Sequence, residues 1–208
     1  MAGEETLLLW LGSAGFGIAT VIFGLIGLKK QTAGINAELF VSFITSISYV
    51  VMALGLAIVT APNGDPIYWS RWLFYIASCS ILTTDVAILK GESSRKIAEI
   101  GLYTGLTMLA GFLASYVTTP EKWWFFGLSS IAYIAMLFEL NRGELAKKGS
   151  MPKILAFVTL SWSLFPVVWV LSPTGFGVIN VFVEVILYGV LDLVTKIIFG
   201  LYLTFKVK

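Results

Sequence analysis

Three ionisable residues stand inside one long apolar stretch near the end of the chain. The run Gly177 to Phe205, GVINVFVEVILYGVLDLVTKIIFGLYLTF, carries Glu184, Asp192 and Lys196. If this run crosses a bilayer, each ionised side chain near its centre costs at least a few kcal/mol, so such residues have a partner and a task. Asp192 and Lys196 supply the partner themselves. Four residues apart on a helix, they project from one face about 6 Å apart along the axis, within reach of each other. Lys196 lies about 14 Å by helical rise from the end of the run, too deep to reach water by extending its stem. Two chemistries follow. The pair can be a structural ion bridge that fixes how this helix packs. Alternatively, the Lys196 amine condenses with an aldehyde to a Schiff base, whose protonated form takes Asp192 as counterion.

The elements that must position this pair are apolar helices. At 58% hydrophobic and 12% charged residues, with mean hydropathy +0.90, the 208-residue chain has the composition of a membrane protein. Seven apolar segments are expected at 6–28, 37–60, 68–90, 95–117, 122–142, 152–172 and 177–205, an all-α bundle of seven transmembrane helices. Short connectors rich in Gly, Pro and charge separate them, none long enough for a second domain, so residues 1–208 are read as one unit. The N-terminal MAGEETLLLW has acids where a secretory signal carries Lys or Arg, so the first run is read as a retained helix. With no His and a single Cys, neither a metal centre nor a disulfide framework is expected. A net charge of +2 without a large basic cluster gives no reason to expect nucleic acid.

Lys and Arg accumulate in cytoplasmic loops. Eleven of the fourteen basic residues fall in the first, third and fifth connectors and the C-terminal tail, among them Lys29, Lys30, Lys90, Arg95, Lys96, Arg142, Lys147, Lys148, Lys153, Lys206 and Lys208. The expected orientation is N-terminus extracellular and C-terminus cytoplasmic, in a multi-pass protein of the cell membrane.

The third segment adds Arg71 and Asp85, separated by about 21 Å of helical rise and hence in opposite halves of the bilayer. Phe74, Ser78 and Cys79 lie between them. Arg71 is either part of the inner constellation or an anchor extended to the interface; Asp85 is either a group of the interior or a carboxylate at the cytoplasmic rim. Glu184 is equally readable as a rim carboxylate or as part of a path toward Asp192. In the sixth segment, Trp162, Phe165, Pro166 and Trp169 recur at helical spacing as one aromatic stripe. The fifth segment opens with Trp123, Trp124, Phe125 and Phe126, and the third offers Trp72 and Tyr75. Such rings are ordinary core, or they line a slot for a long conjugated ligand.

Taken together, the D-x-x-x-K of Asp192 and Lys196, the R-W-L-F-x-x-x-S from Arg71 to Ser78 and the W-x-x-F-P-x-x-W from Trp162 to Trp169 resemble the microbial rhodopsins over nearly the whole chain. The resemblance implies retinal, all-trans in the dark, bound covalently to Lys196 with Asp192 as counterion. It also implies that Trp162 and Trp169 face Tyr75 across the polyene, that Phe126, Ser129 and Gly111 lie near the ring end, and that Tyr49 hydrogen-bonds Asp192. Phe165 departs from a tyrosine common at its place, which puts one of the usual hydrogen bonds to Asp192 in question. Phe74 stands where outward proton pumps of the family carry an aspartate. The triplet Phe74, Ser78, Asp85, with Cys79 after the serine, is similar to the schizorhodopsins and to their Antarctic relatives. That similarity implies a light-driven inward proton pump rather than an enzyme, with Ser78, Cys79 and Asp85 on the cytoplasmic proton path, and Arg71 and Glu184 on the extracellular side. A retinal photosensor signalling to a partner without net transport is the alternative. Homo-oligomers, commonly trimers, are a further implication of the family.

Overall fold

The computed structural model describes residues 3–30 and 33–207. Seven helices account for most of them: α1 Glu4–Lys30, α2 Ala33–Ala53, α3 Ser70–Lys90, α4 Ser94–Tyr116, α5 Lys122–Asn141, α6 Met151–Leu171 and α7 over 181–207. Five of these, α1 and α3 to α6, are each long and apolar enough to cross a membrane. Helix α7 is continuous but not uniform. It runs as Val181–Asp192, a π turn Leu193–Ile198, Phe199–Tyr202 and a second π turn Leu203–Val207.

Burial is inverted relative to a water-soluble protein. Arg71, Asp192 and Lys196 are at most 2% exposed, whereas Leu28, Leu102 and Leu160 are more than 70% exposed. An apolar exterior around a polar interior requires a solvent of hydrocarbon, since charges survive there only when enclosed by protein. Helix ends are closed by local means. Asn180 caps α7 by accepting from the Val183 N–H at 3.0 Å, and Gly91, at φ 85°, ends α3.

The second apolar segment is where the structure differs most from expectation. A helix to residue 60 is replaced by a helix end at Ala53 and an antiparallel hairpin, β1 Val59–Thr60 with β2 Pro66–Ile67. Gly55, at φ 67°, takes the left-handed conformation, its N–H bonding Met52 O while Leu56 N–H bonds back to Val51 O. This paired closure of a helix C-terminus depends on glycine. Apolar content hid it, because a short apolar run reads alike as helix or strand. Helix α7 likewise starts at Val181, not 177: Gly177, at φ 66°, belongs to the turn that precedes it. Of the basic residues used for orientation, Lys208 lies outside the described residues, as do Gln31 and Thr32 of the first connector.

Two buried lysines tie α5 to its neighbours at opposite ends. At the start of α5, the Lys122 ammonium donates to Thr174 O at 2.6 Å and Gly175 O at 3.1 Å, in the turn between α6 and α7. At the far end, Lys90 of α3 donates to Leu140 O and Arg142 O, both at 2.8 Å, satisfying carbonyls that the end of α5 leaves open. Lys90 also pairs with Glu92 at 2.7 Å. Burial raises the Glu92 carboxyl, but the Lys90 hydrogen bond and charge outweigh it and hold the group below the usual carboxylate range.

Candidate functional site

The centre of the bundle is a carboxylate enclosed by four donors or cations. Lys196 Nζ lies 2.8 Å from Asp192 Oδ1, as an ion contact rather than a directed hydrogen bond. The Tyr75 hydroxyl donates to the same oxygen at 2.6 Å, and the Tyr49 hydroxyl donates to Oδ2 at 2.8 Å. Arg71 Nη1 stands 3.3 Å from Oδ2 and also donates to both tyrosine oxygens. Asp192 is fully buried, so this shell replaces the water that a carboxylate otherwise needs.

The four arrive from three helices, Tyr49 from α2, Arg71 and Tyr75 from α3 and Lys196 from α7, and small residues make the approach possible. Tyr49 of α2 lies against Gly12 of α1, where any Cβ would collide with ring carbons Cδ1 and Cε1. Arg71 sits over the Tyr188 ring at 4.6 Å and the Tyr49 ring at 5.4 Å. Lys196 Nζ lies 3.6 Å from the centre of the Tyr75 ring, a cation-on-ring contact that fixes the amine beside its carboxylate. Lys196 occupies the π turn Leu193–Ile198, where the helix is locally wider.

Beside Lys196 a cavity opens between α3, α4, α5 and α6. Tyr75 and Cys79 line it from α3, Gly111 from α4, Phe126, Ser129 and Tyr133 from α5, and Trp162, Phe165, Pro166 and Trp169 from α6. Its walls are flat. Phe126 stacks on Trp169 at 4.6 Å and 19°, and the Trp169 indole N–H donates to Ser115 Oγ at 2.9 Å, which locks the ring in place. At Gly111 an added Cβ would come within 3.3 Å of Trp72, so glycine keeps that wall open. The hydroxyls along the α5 side are already used, Ser129 donating to Thr107 O and Ser130 to Phe126 O, both at 2.8 Å. The distal part of the cavity is therefore effectively apolar. An amine at one end and an apolar, ring-walled slot beyond it fit a long flat hydrophobic aldehyde.

Arg71 is not an anchor extended to the interface; it turns inward because Asp192 and two tyrosines offer it donors' partners that lipid does not. Glu184, in the first turn of α7, is enclosed by protein at 6% exposed. Asp85 is also interior, at 6% exposed, and Ser78 is fully buried, its hydroxyl turned onto Phe74 O at 3.3 Å. Phe74 is partly buried and does not line the cavity. Tyr75, expected as a ring against the polyene, also holds Asp192. It supplies the hydrogen bond that Phe165 cannot, and Phe165 instead stacks on Tyr188 at 5.9 Å. Tyr188, four residues before Asp192 on the same face of α7, was findable from spacing; Gly12 and Ser115 were not, because only the fold brings α1 and α4 to these rings.

The profile of the bacteriorhodopsin-like proteins matches residues 3–208. The chain is similar to the bacteriorhodopsin-II-like protein of Haloquadratum walsbyi, at 30% identity over 95% of this chain and 88% of the relative. It is also similar to sensory rhodopsin-2 of Natronomonas pharaonis, at 27% identity over 94% and 86%. Among solved structures, that of schizorhodopsin 4 superposes with a TM-score of 0.91 at 37% identity, covering 98% of this chain and 100% of the other. The enclosed lysine–carboxylate pair and its ring-walled cavity thus sit in a chain that belongs to the bacteriorhodopsin-like family, the microbial rhodopsins, light-driven integral membrane proteins that bind retinal covalently on a lysine.

Proposed function

We propose that this protein is a light-driven inward proton pump in which Lys196 carries the retinal and Asp192 is its counterion. The observation that carries the reading is the saturation of Asp192. Both of its oxygens already accept hydrogen bonds from Tyr49 and Tyr75, and Arg71 adds a cation beside Oδ2. The Arg71 side of the Lys196 nitrogen is thus occupied by a carboxylate whose oxygens are already engaged. Phe74 offers no proton acceptor, having no titratable atom.

When bound, the chromophore supplies light absorption and, on isomerising, a change in the direction of the proton at the Lys196 nitrogen. The protein supplies the rest. On the Arg71 side the engaged oxygens of Asp192 stand in the way of release. On the other side, Cys79 lines the cavity near Lys196, and Asp85 lies six residues further along α3, about 9 Å by helical rise. A proton leaving Lys196 Nζ is drawn past Cys79 and Ser78 toward Asp85, and Arg71 and Glu184 flank the route of its replacement. The basic residues Lys90, Arg95, Lys96, Arg142, Lys147, Lys148 and Lys153 cluster at the Asp85 end, which supports that end as cytoplasmic.

The test is the light-induced pH change in an unbuffered suspension of retinal-supplied cells expressing the protein. External alkalinisation abolished by a protonophore is expected. Acidification would overturn the direction, and a coloured protein with no pH change would favour the sensory reading. If Asp85→Asn left proton-release kinetics unchanged, Asp85 would be removed from the path.

A further inference from the structure

The only acid within the apolar part of α2 is Glu38, which is 1% exposed and belongs to none of the motifs above. Its position follows from Tyr49. Eleven residues separate them, about 16 Å of rise and within roughly 20° of the same helical face. Glu38 therefore lies on the stripe of α2 that presents Tyr49 to Asp192. On α3, Arg71 is the side chain that reaches Tyr49, donating to its hydroxyl at 3.4 Å. Asp85, fourteen residues on, returns to within roughly 40° of that face. It lies about 15 Å by helical rise beyond Tyr75, which is level with Asp192. Glu38 and Asp85 thus sit at one depth on the facing stripes of two adjacent helices.

Packing agrees with this placement. Val41, one turn from Glu38, shares a single buried cluster with Leu82 and Val86, which flank Asp85, and with Phe199 and Leu203 of α7. Glu38 is also pressed against α7: a Cβ at Gly200 would meet Glu38 Cγ at 2.9 Å and Phe23 Cζ at 3.1 Å. Gly200 is one helical turn beyond Lys196. Glycine there makes room for a carboxyl-bearing stem between Lys196 and the Lys90 end of the bundle.

We propose that Glu38 is a second proton-holding group of this half of the protein, sharing one proton with Asp85. Two carboxyls at one buried depth are held most cheaply with a single proton and a single negative charge between them. The transfer involves only that proton, moving from an Asp85 oxygen to a Glu38 oxygen. The pair then accepts a proton arriving from Lys196 and passes it along α2. Only the direction of that last step rests on the inward-pump reading.

The experiment is infrared spectroscopy of the carboxyl C=O region in the full-length retinal-bound protein in the dark. Wild type is compared with Glu38→Gln, Asp85→Asn and the double variant, with Glu38→Asp as a second probe and the visible band as the check on folding. A shared proton requires that each single substitution shift or remove the same protonated-carboxyl band, that the double variant lack it, and that Glu38→Asp retain it at a displaced frequency. A band lost in Asp85→Asn but untouched in Glu38→Gln and Glu38→Asp would overturn the proposal. The dark measurement is independent of transport direction, so acidification in the cell suspension would sink the inward reading and leave this result standing.

Discussion

The two halves of the bundle handle buried charge in opposite ways. Around Asp192, every oxygen is met by a named donor, from Tyr49, Tyr75, Arg71 and Lys196, and the charge is fixed in place. Beside Asp85 and Glu38, the packed side chains include the apolar cluster of Val41, Leu82, Val86, Phe199 and Leu203. On the proposals made above, the same residue type, a carboxyl in a membrane interior, serves as the counterion of a cation in one half and as a proton-holding group in the other. Environment, not identity, assigns the role.

Substitutions that abolish or blur this contrast rank in a definite order. Lys196→Ala has the largest effect: no visible absorbance band forms when retinal is added, and a surviving band would place the attachment elsewhere. Asp192→Asn leaves the Arg71 and Lys196 cations buried without their carboxylate, an arrangement that costs about 3–5 kcal/mol. Its thermal bleaching midpoint should fall steeply; an unchanged midpoint would mean that the shell does not need its anion. Gly12→Ala touches no charge, yet its Cβ strikes the Tyr49 ring and withdraws one donor from Asp192. Overpacking of this kind costs about 1–3 kcal/mol. The absorption maximum should shift as it does in Tyr49→Phe, and the double variant should shift less than the sum of the two.

The smallest effect lies outside the membrane segments. Glu92 sits below the usual carboxylate range because of Lys90, so its contribution to stability is present above the unfolded value of about 4.3 and is lost as pH falls through the lowered folded value. Glu92→Gln should cost under about 1 kcal/mol at neutral pH and nothing once the wild-type carboxyl is protonated. Melting curves at neutral and strongly acid pH would show this; an equal loss at both would assign the effect to packing instead.

Much of the centre could be read along the chain, because it depends on spacing within one helix. Asp192 and Lys196 are neighbours wherever α7 forms, and Trp162, Phe165 and Trp169 make a stripe on any straight α6. The missed features are contacts between helices. The second hydrogen bond to Asp192, which Phe165 cannot make, comes from Tyr75, a residue whose ring is all that its place in the sequence points to. Nothing near Glu38 in sequence, beside the expected start of the second segment, marks it as interior. The over-long second helix failed for a different reason: Gly55 closes α2 through its left-handed backbone, while the apolar residues after it continue as an exposed hairpin strand.

By itself the sequence determined the membrane, the number of spans, the lysine with a carboxylate beside it and the family, because hydropathy and i, i+4 spacing are local properties of the chain. Tertiary structure alone decided that Arg71 turns inward, that Tyr75 joins Tyr49 at Asp192, and that Glu38 is enclosed by protein. Those outcomes depend on which faces of separate helices meet, and helical rotation and register are set by packing at Gly12, Gly111 and Gly200, where the absence of a side chain fixes how closely two elements approach.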